Sequence, residues 1–304
     1  METTNFAAMG GTVELQLPEG RSNDARRIEA LFARHERVMS RFLPDSELCA
    51  LNNSASAHFD ASPLLFDAAS DALGWACVTD GVFDPTVIDA LEECGYDRTF
   101  DAIKDRAGAA TLCERPKAMR NGWRAIELDA DRSVIAMPPG MRIDLGGIGK
   151  GYTVDAAIGL LGPGANAMVN ASGDLYAAGD GPDGDGWYVG VQDPFALDLD
   201  IAVLNVNDCG VATSGSIKRR WTIGDTRYRH LIDAREQRSS ESDLLTVTVI
   251  ARTATQADVL AKTAFLHGSS EGLRAIERFD GAECIAVTSG GNVLATRGMP
   301  EHYA

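Results

Sequence analysis

The chain has 304 residues, with 28 Lys and Arg against 44 Asp and Glu, a formal net charge of −16. That excess of negative charge repels a phosphate backbone and excludes binding of nucleic acid or an anionic membrane through a broad basic face. A hydrophobic fraction of 45% beside 24% charged residues is ordinary globular composition, far from the disordered regime and ample for one large domain or two fused lobes.

No apolar run reaches the roughly 18 residues of a membrane span. The opening METTNFAAMG has neither a basic nor an apolar signal region. The six cysteines (Cys49, Cys77, Cys94, Cys113, Cys209, Cys284) are scattered, with no CxxC and no Cys/His cluster at zinc spacing. Reduced, mostly structural thiols in a cytoplasmic protein are the expectation.

Residues 12–17 alternate polar and apolar, the period of a half-buried strand, and are expected to open a sheet. Ser22 is a candidate cap for a helix in which Ile28, Leu31, Phe32, His35, Val38 and Met39 follow 3.6-residue spacing. Ser62-Pro63 announces a second helix through Leu64, Ala68, Leu73 and Ala76 towards Gly81. Residues 125–128 and 133–136 read as a hairpin. A Gly-rich turn over 146–151 leads into a helix over 152–161, ended by Gly162-Pro163-Gly164. Strand-like runs follow at 167–171, 187–192, 201–206 and 244–252. Residues 253–267 read as a helix with Ala257, Leu260, Ala261 and Ala264 on one face, and a shorter helix and a last hairpin come after it. Helices and strands are mixed rather than alternating, so the fold class is α+β. With no repeat, low-complexity tract or long linker, residues 1–304 read as a single two-lobed domain.

Asp144-Leu-Gly-Gly-Ile-Gly-Lys-Gly151 follows a strand and precedes a helix, where backbone amides and a helix N-terminus can bind phosphate. It is not a Walker A loop, because Lys150 is followed by Gly151 rather than Ser or Thr. It is not GxGxxG either, because Tyr152 stands where the last Gly is required. On its glycines alone, a phosphate site and a tight turn with a solvated lysine stand level.

Other segments break the tie. Met9-Gly-Gly-Thr12 is followed by Met39-Ser-Arg-Phe-Leu-Pro-Asp-Ser-Glu-Leu-Cys-Ala-Leu-Asn52, then by Gly81-Val-Phe-Asp-Pro-Thr86 with Gly95-Tyr-Asp-Arg98. After the glycine loop and Asp155 come Asn170-Ala-Ser-Gly-Asp174, Ala212-Thr-Ser-Gly215, His230-Leu-Ile-Asp233 and Ala257-Asp-Val-Leu-Ala-Lys-Thr263. Each is weak alone; in this order they resemble the flavin transferase family, FAD:protein FMN transferase or ApbE, across nearly the whole chain. The resemblance implies a T-fold-related α+β architecture with mixed sheets and flanking helices, and FAD in the cleft between two lobes. It implies Mg²⁺-dependent transfer of FMN from FAD to a Thr or Ser hydroxyl on the FMN-binding domain of an acceptor protein, with AMP leaving. An FAD pyrophosphatase yielding FMN and AMP, and a non-catalytic FAD carrier, are the alternatives on the same site.

Carried over by motif, the flavin contacts fall on Met9, Phe42, Val82, Phe83, Asp84, Asp144, Lys150 and Ile232. Phe42 stands where some relatives have Tyr and keeps an aromatic face. Lys150 replaces an acid seen in some members and suits phosphate contact. The implied metal takes a backbone carbonyl from Gly147 and a carboxylate from Asp258. The family's Thr, four residues further on the same helical face, is here Lys262, with Thr263 one position later. Lysine cannot bind Mg²⁺, so three arrangements stay open: a metal with one protein ligand fewer, an ammonium that neutralises pyrophosphate instead, or a register shift bringing in Thr263. His230 is implied in proton transfer with the acceptor hydroxyl, a role imidazole suits. The bland reading is a half-buried strand histidine satisfied by Asp233 or backbone. Ala234 replaces a usual Pro and Glu236-Gln237 a usual Thr-Gly, which leaves this turn's geometry open. Asn170, Asp174, Thr213 and Ser214 read as polar residues lining the site, and Asp97-Arg98 as a surface ion pair.

Overall fold

The computed structural model describes residues 1–103 and 119–304; Cys113 lies outside the described residues. Two compact units are assembled from separated stretches. The first comprises Met1–Ala33, Lys150–Ile217 and Ser242–Ala304; the second comprises Arg34–Gly149 and Lys218–Glu241.

The first unit is built on an eight-stranded antiparallel sheet in the spatial order Glu2–Ala8, Gly11–Leu17, Ala167–Ala171, Asp174–Ala178, Cys209–Gly215, Leu244–Ala251, Glu283–Thr288, Val293–Ala295. The alternation over 12–17 is there: Val13, Leu15 and Leu17 are buried against Ile28 and Phe32 of the helix Ser22–Met39 and against Val154 and Ala157 of the helix Gly149–Leu161. Burying each large side chain contributes about 1.5–3 kcal/mol. This strand does not open the sheet, because Glu2–Ala8 lies outside it as the edge. An edge strand can stay polar, and ETTNFAA carries no alternation to betray it. Ser22 does not cap its helix but begins it. The carbonyl of Arg21 accepts from the N–H groups of Asp24 and Ala25 at 2.9 and 3.1 Å, one residue earlier than expected.

The glycine run also differs from expectation. Gly149, Lys150 and Gly151 already form the first turn of the helix Gly149–Leu161. Gly151 is needed for close approach: a Cβ there would lie 2.7 Å from the Ala254 carbonyl oxygen and 2.8 Å from the Thr255 Cα. One turn later, Asp155 accepts from the backbone N–H groups of Ala254 and Thr255 at 2.8 and 2.9 Å, so one helix caps the next. Thr253 completes that cap with its hydroxyl oxygen, which accepts from Gln256 N at 3.0 Å. The helix Ala254–Ile276 breaks at Gly268 (φ 71°), which resolves it into the long and short helices expected. Gly151→Ala is expected to cost about 2 kcal/mol by overpacking backbone on backbone. Thermal unfolding checks it, and an unshifted melting temperature would mean that the two helices part freely.

In the second unit, Ser62 caps the helix Pro63–Val78 as its sequence announced, its hydroxyl accepting from Leu65 N at 3.3 Å. The predicted hairpin is present as Glu127–Asp129 and Val134–Ala136, joined by an unforeseen third strand, His58–Asp60. Two ribbons follow, Arg220–Ile223 with Thr226–Arg229 and Ile232–Asp233 with Arg238–Ser239. They are anchored by buried Trp221, whose Nε1 donates to the Cys94 carbonyl at 2.8 Å.

Among the described residues no helix is long and apolar enough to cross a membrane. Cys49, Cys77, Cys94, Cys209 and Cys284 are free thiols, and burial pushes those of Cys209 and Cys284 up to about 12, where they are unreactive.

Candidate functional site

In the second unit the structure gathers most of the residues assigned to flavin. Asn52 grips the backbone of Ile143, donating to its carbonyl at 2.8 Å and accepting from its N–H at 2.9 Å. Asp144 follows at once, its own N–H donating to the Pro85 carbonyl at 2.7 Å, which ties it to the segment carrying Val82, Phe83 and Asp84. The Arg41 guanidinium lies 4.1 Å from the ring centre of Phe42 and 4.7 Å from that of Tyr96, and its Nε is 3.5 Å from Asp144 Oδ2. Such stacked, charge-paired guanidinium groups fix aromatic planes. Ile232 joins the same apolar cluster, against which Phe42 packs. Arg41 and Tyr96 stand inside motifs the sequence displayed, but an Arg-Phe pair carries no signal of its own until Tyr96 is brought to it.

Val82 and Phe83 are buried, and Asp84 is 5% exposed. Asp84 Oδ1 accepts from the N–H and hydroxyl of Thr86 at 2.8 and 2.6 Å, whereas its Oδ2 has no hydrogen-bond partner. Burial pushes this carboxyl above the usual carboxylate range. Gly146 N donates to Asp144 Oδ1 at 3.0 Å, and Gly147 sits in the tight turn that Gly149 N closes on the Leu145 carbonyl at 2.8 Å.

His230 lies between the two ribbons, half-buried, with Nδ1 at 3.4 Å from the Arg219 carbonyl. Asp233 is engaged elsewhere: Arg235 holds it through Nε at 3.0 Å and a second nitrogen at 2.7 Å. Gln237 takes a left-handed conformation, φ 53°, in the turn closed by its N–H on the Asp233 carbonyl at 2.7 Å, and its Oε1 is buried without a partner. Gln237→Gly is expected to stabilise this unit by about 0.5–1 kcal/mol, relieving a side chain from a conformation glycine adopts freely. Urea unfolding checks it, and a destabilised variant would show that the Gln237 side-chain bond to the Ala234 carbonyl (2.8 Å) outweighs the strain.

In the first unit the Lys150 ammonium pairs with the buried Asp174 carboxylate. Asn170, in the same β-turn, accepts from Gly173 N at 2.8 Å. Thr213 shares a hydrogen bond with Thr248 at 2.8 Å, and Ser214 is buried in the same strand. Met9 turns the corner between the first two strands at φ 50° and packs on the sheet–helix core. Asp258, 1% exposed, stands one turn into the helix Ala254–Ile276, with Lys262 paired to its Oδ1 and no hydrogen-bond partner on its Oδ2. Thr263 is buried, and its hydroxyl donates to the Val259 carbonyl at 2.9 Å. Asp97 and Arg98 form the exposed pair expected, at 2.7 Å.

Across residues 9–286 the sequence matches the ApbE family. The chain belongs to the ApbE family. The FAD:protein FMN transferase of Treponema pallidum is 31% identical over 289 residues, spanning 88% of this chain and 78% of its own. That of Klebsiella pneumoniae is 26% identical over 294 residues, spanning 94% and 89%. The crystal structure of the ApbE protein from Thermotoga maritima, 25% identical, matches with a TM-score of 0.87 over 100% of this chain and 99% of its own. The flavin transferase ApbE from Vibrio cholerae, 21% identical, shares the fold at a TM-score of 0.80 over 99% and 98%.

The divalent ion that the ApbE likeness implies can be tested on the residues present. Among the described residues no group of three or more His, Cys, Asp and Glu side chains forms a cage. Mg²⁺ in phosphate chemistry needs none, because one or two carboxylates plus substrate phosphate oxygens suffice. A carboxylate oxygen buried without a partner is the feature such an ion would satisfy; Asp84 Oδ2 and Asp258 Oδ2 both have it, and of the two only Asp258 is the carboxylate the likeness implies for the metal. The donor set fits.

Proposed function

We propose that this chain transfers the FMN moiety of FAD to a Thr or Ser hydroxyl of an acceptor flavoprotein, releasing AMP, and that it does so with Mg²⁺ at Asp258. Family membership supports the reaction class, and the buried, half-satisfied carboxylate of Asp258 is the observation that carries the metal requirement. The hydroxyl oxygen attacks the phosphorus on the FMN side of the pyrophosphate; the new P–O bond forms as the bond to the AMP phosphate breaks. There is little covalent work for the protein, so positioning and charge neutralisation carry the rate. A bound Mg²⁺ supplies Lewis-acid neutralisation of the phosphate oxygens.

The chain's own residues supply the rest. Lys150, at the first turn of its helix and held by Asp174, presents an ammonium and helix N–H groups to phosphate. Asp84, with one oxygen unpartnered in a dry setting, accepts from an imide N–H of the flavin ring. Phe42, fixed by Arg41, offers an aromatic plane beside Asp144. Met9, Val82, Phe83 and Ile232 supply apolar contact, and Gly147 a main-chain carbonyl. His230 accepts the hydroxyl proton, a role imidazole suits near neutral pH.

The deciding experiment incubates the full chain with FAD and Mg²⁺, with and without an FMN-binding domain carrying an acceptor Thr, and measures AMP and acceptor mass. Acceptor gaining FMN together with AMP, only with metal present, is the result expected. AMP without an acceptor would make the chain a pyrophosphatase, and intact bound FAD a carrier. His230→Ala is expected to slow transfer about 10²-fold with FAD affinity retained. An equally active variant would return His230 to a structural role.

A further inference from the structure

We propose, resting on the reading that Asp258 takes the divalent cation, that Lys262 is a built-in counter-ion sharing that carboxylate, so that this chain takes its metal together with the pyrophosphate rather than alone. Asp258 is buried to 1% exposure, and a lone carboxylate there is strongly disfavoured. The Lys262 ammonium removes that penalty: it pairs with Oδ1, lies 3.4 Å from the Asp258 carbonyl, and has only 14% of its side chain exposed. Acid and lysine stand four residues apart with the acid nearer the N-terminus, the favourable order on a helix.

One carboxylate therefore has two claimants. The ammonium holds Oδ1, and a divalent ion reaching Oδ2 comes within a few ångströms of it, where low dielectric sharpens the repulsion between like charges. The free protein binds metal weakly for that reason. A pyrophosphate arriving with the ion brings the negative charge that lets ammonium and metal coexist. The lysine stem has four rotatable methylenes, long enough to move its head from carboxylate to phosphate oxygen.

The test needs no turnover. Binding of Mn²⁺ alone to the flavin-free full chain, followed by loss of the free-ion electron paramagnetic resonance signal, is compared between the natural protein and Lys262→Met. The variant is expected to bind Mn²⁺ more than tenfold tighter. It should also melt lower than the natural protein in EDTA, its Asp258 bare, and regain the difference when Mn²⁺ is added. Equal Mn²⁺ affinity, or a melting deficit that Mn²⁺ leaves untouched, overturns the proposal. Should Lys262→Met not fold, Lys262→Gln keeps a neutral donor for Oδ1, and the same gain in affinity is required of it. Adding Asp258→Asn to either variant separates the two levels. Tight Mn²⁺ binding that survives it places the ion elsewhere and sinks the reading of Asp258 itself. Binding that depends on Asp258 but is indifferent to Lys262 sinks this proposal alone.

Discussion

Asp258→Asn is expected to lower Mg²⁺-dependent AMP release from FAD by about 10³-fold while FAD binding partly survives. The substitution keeps the side chain's shape and removes its charge, so what is lost is the group that would hold a cation against the transferring phosphate. Asp258 is buried within the helix, with Val259, Leu260 and Ala261 beside it fully enclosed, so water does not substitute well for the missing ligand. The same change strips Lys262 of its carboxylate partner, and the variant should also be less stable. AMP release is therefore measured well below the melting temperature across a Mg²⁺ titration, with flavin fluorescence reporting FAD binding. A normal rate at saturating Mg²⁺ would remove Asp258 from the metal role.

What could be read from the sequence follows how locally each feature is written. The alternation of residues 12–17 and the Ser62-Pro63 start are local signals, and both elements are where they were expected. Gly151 looked like a turn residue because nothing within its own segment shows that Ala254 and Thr255 press against it. Asp155 caps a helix a hundred residues later, and a single acid inside a helical pattern does not announce that. In the site, the glycines alone left phosphate binding and an ordinary turn level; the ordered motif set favoured the first. Asp258 and Lys262 have helical i,i+4 spacing, so their shared face was legible though the ion pair between them was not foreseen, whereas Lys150 with Asp174 depends on the sheet turning a strand back to the helix start. For Thr263 the helical period already told its place, about 100° of rotation away from Lys262, and the part not written locally is the bond of its hydroxyl to the Val259 carbonyl.

Lowering the pH from 6.5 to 4 is expected to destabilise the fold by about 3 kcal/mol through His35 alone. This histidine is 4% exposed on the helix Ser22–Met39, where burial, reinforced by the charge of Arg34, holds its imidazole down at about 4 from an ordinary value of 6.5. The unfolded chain takes up a proton near 6.5 and the folded chain refuses it until about 4, so between those values the unfolded state binds more protons. Stability from this group is fully present above 6.5 and drains away as the pH falls towards 4, at about 1.4 kcal/mol for each pH unit of separation. Asp84 and Asp155 act in the opposite sense. Burial raises their carboxyl groups, so their contribution is present at the acid end and is lost as the pH rises above the ordinary 3.8. The two effects overlap, and only a variant isolates the histidine. His35→Gln keeps a polar side chain of similar reach that takes no proton, and its urea-unfolding free energy should vary less steeply between pH 4 and 6.5, by up to one proton's worth of slope. Parallel curves for the two proteins would mean that the acid limb belongs to other groups.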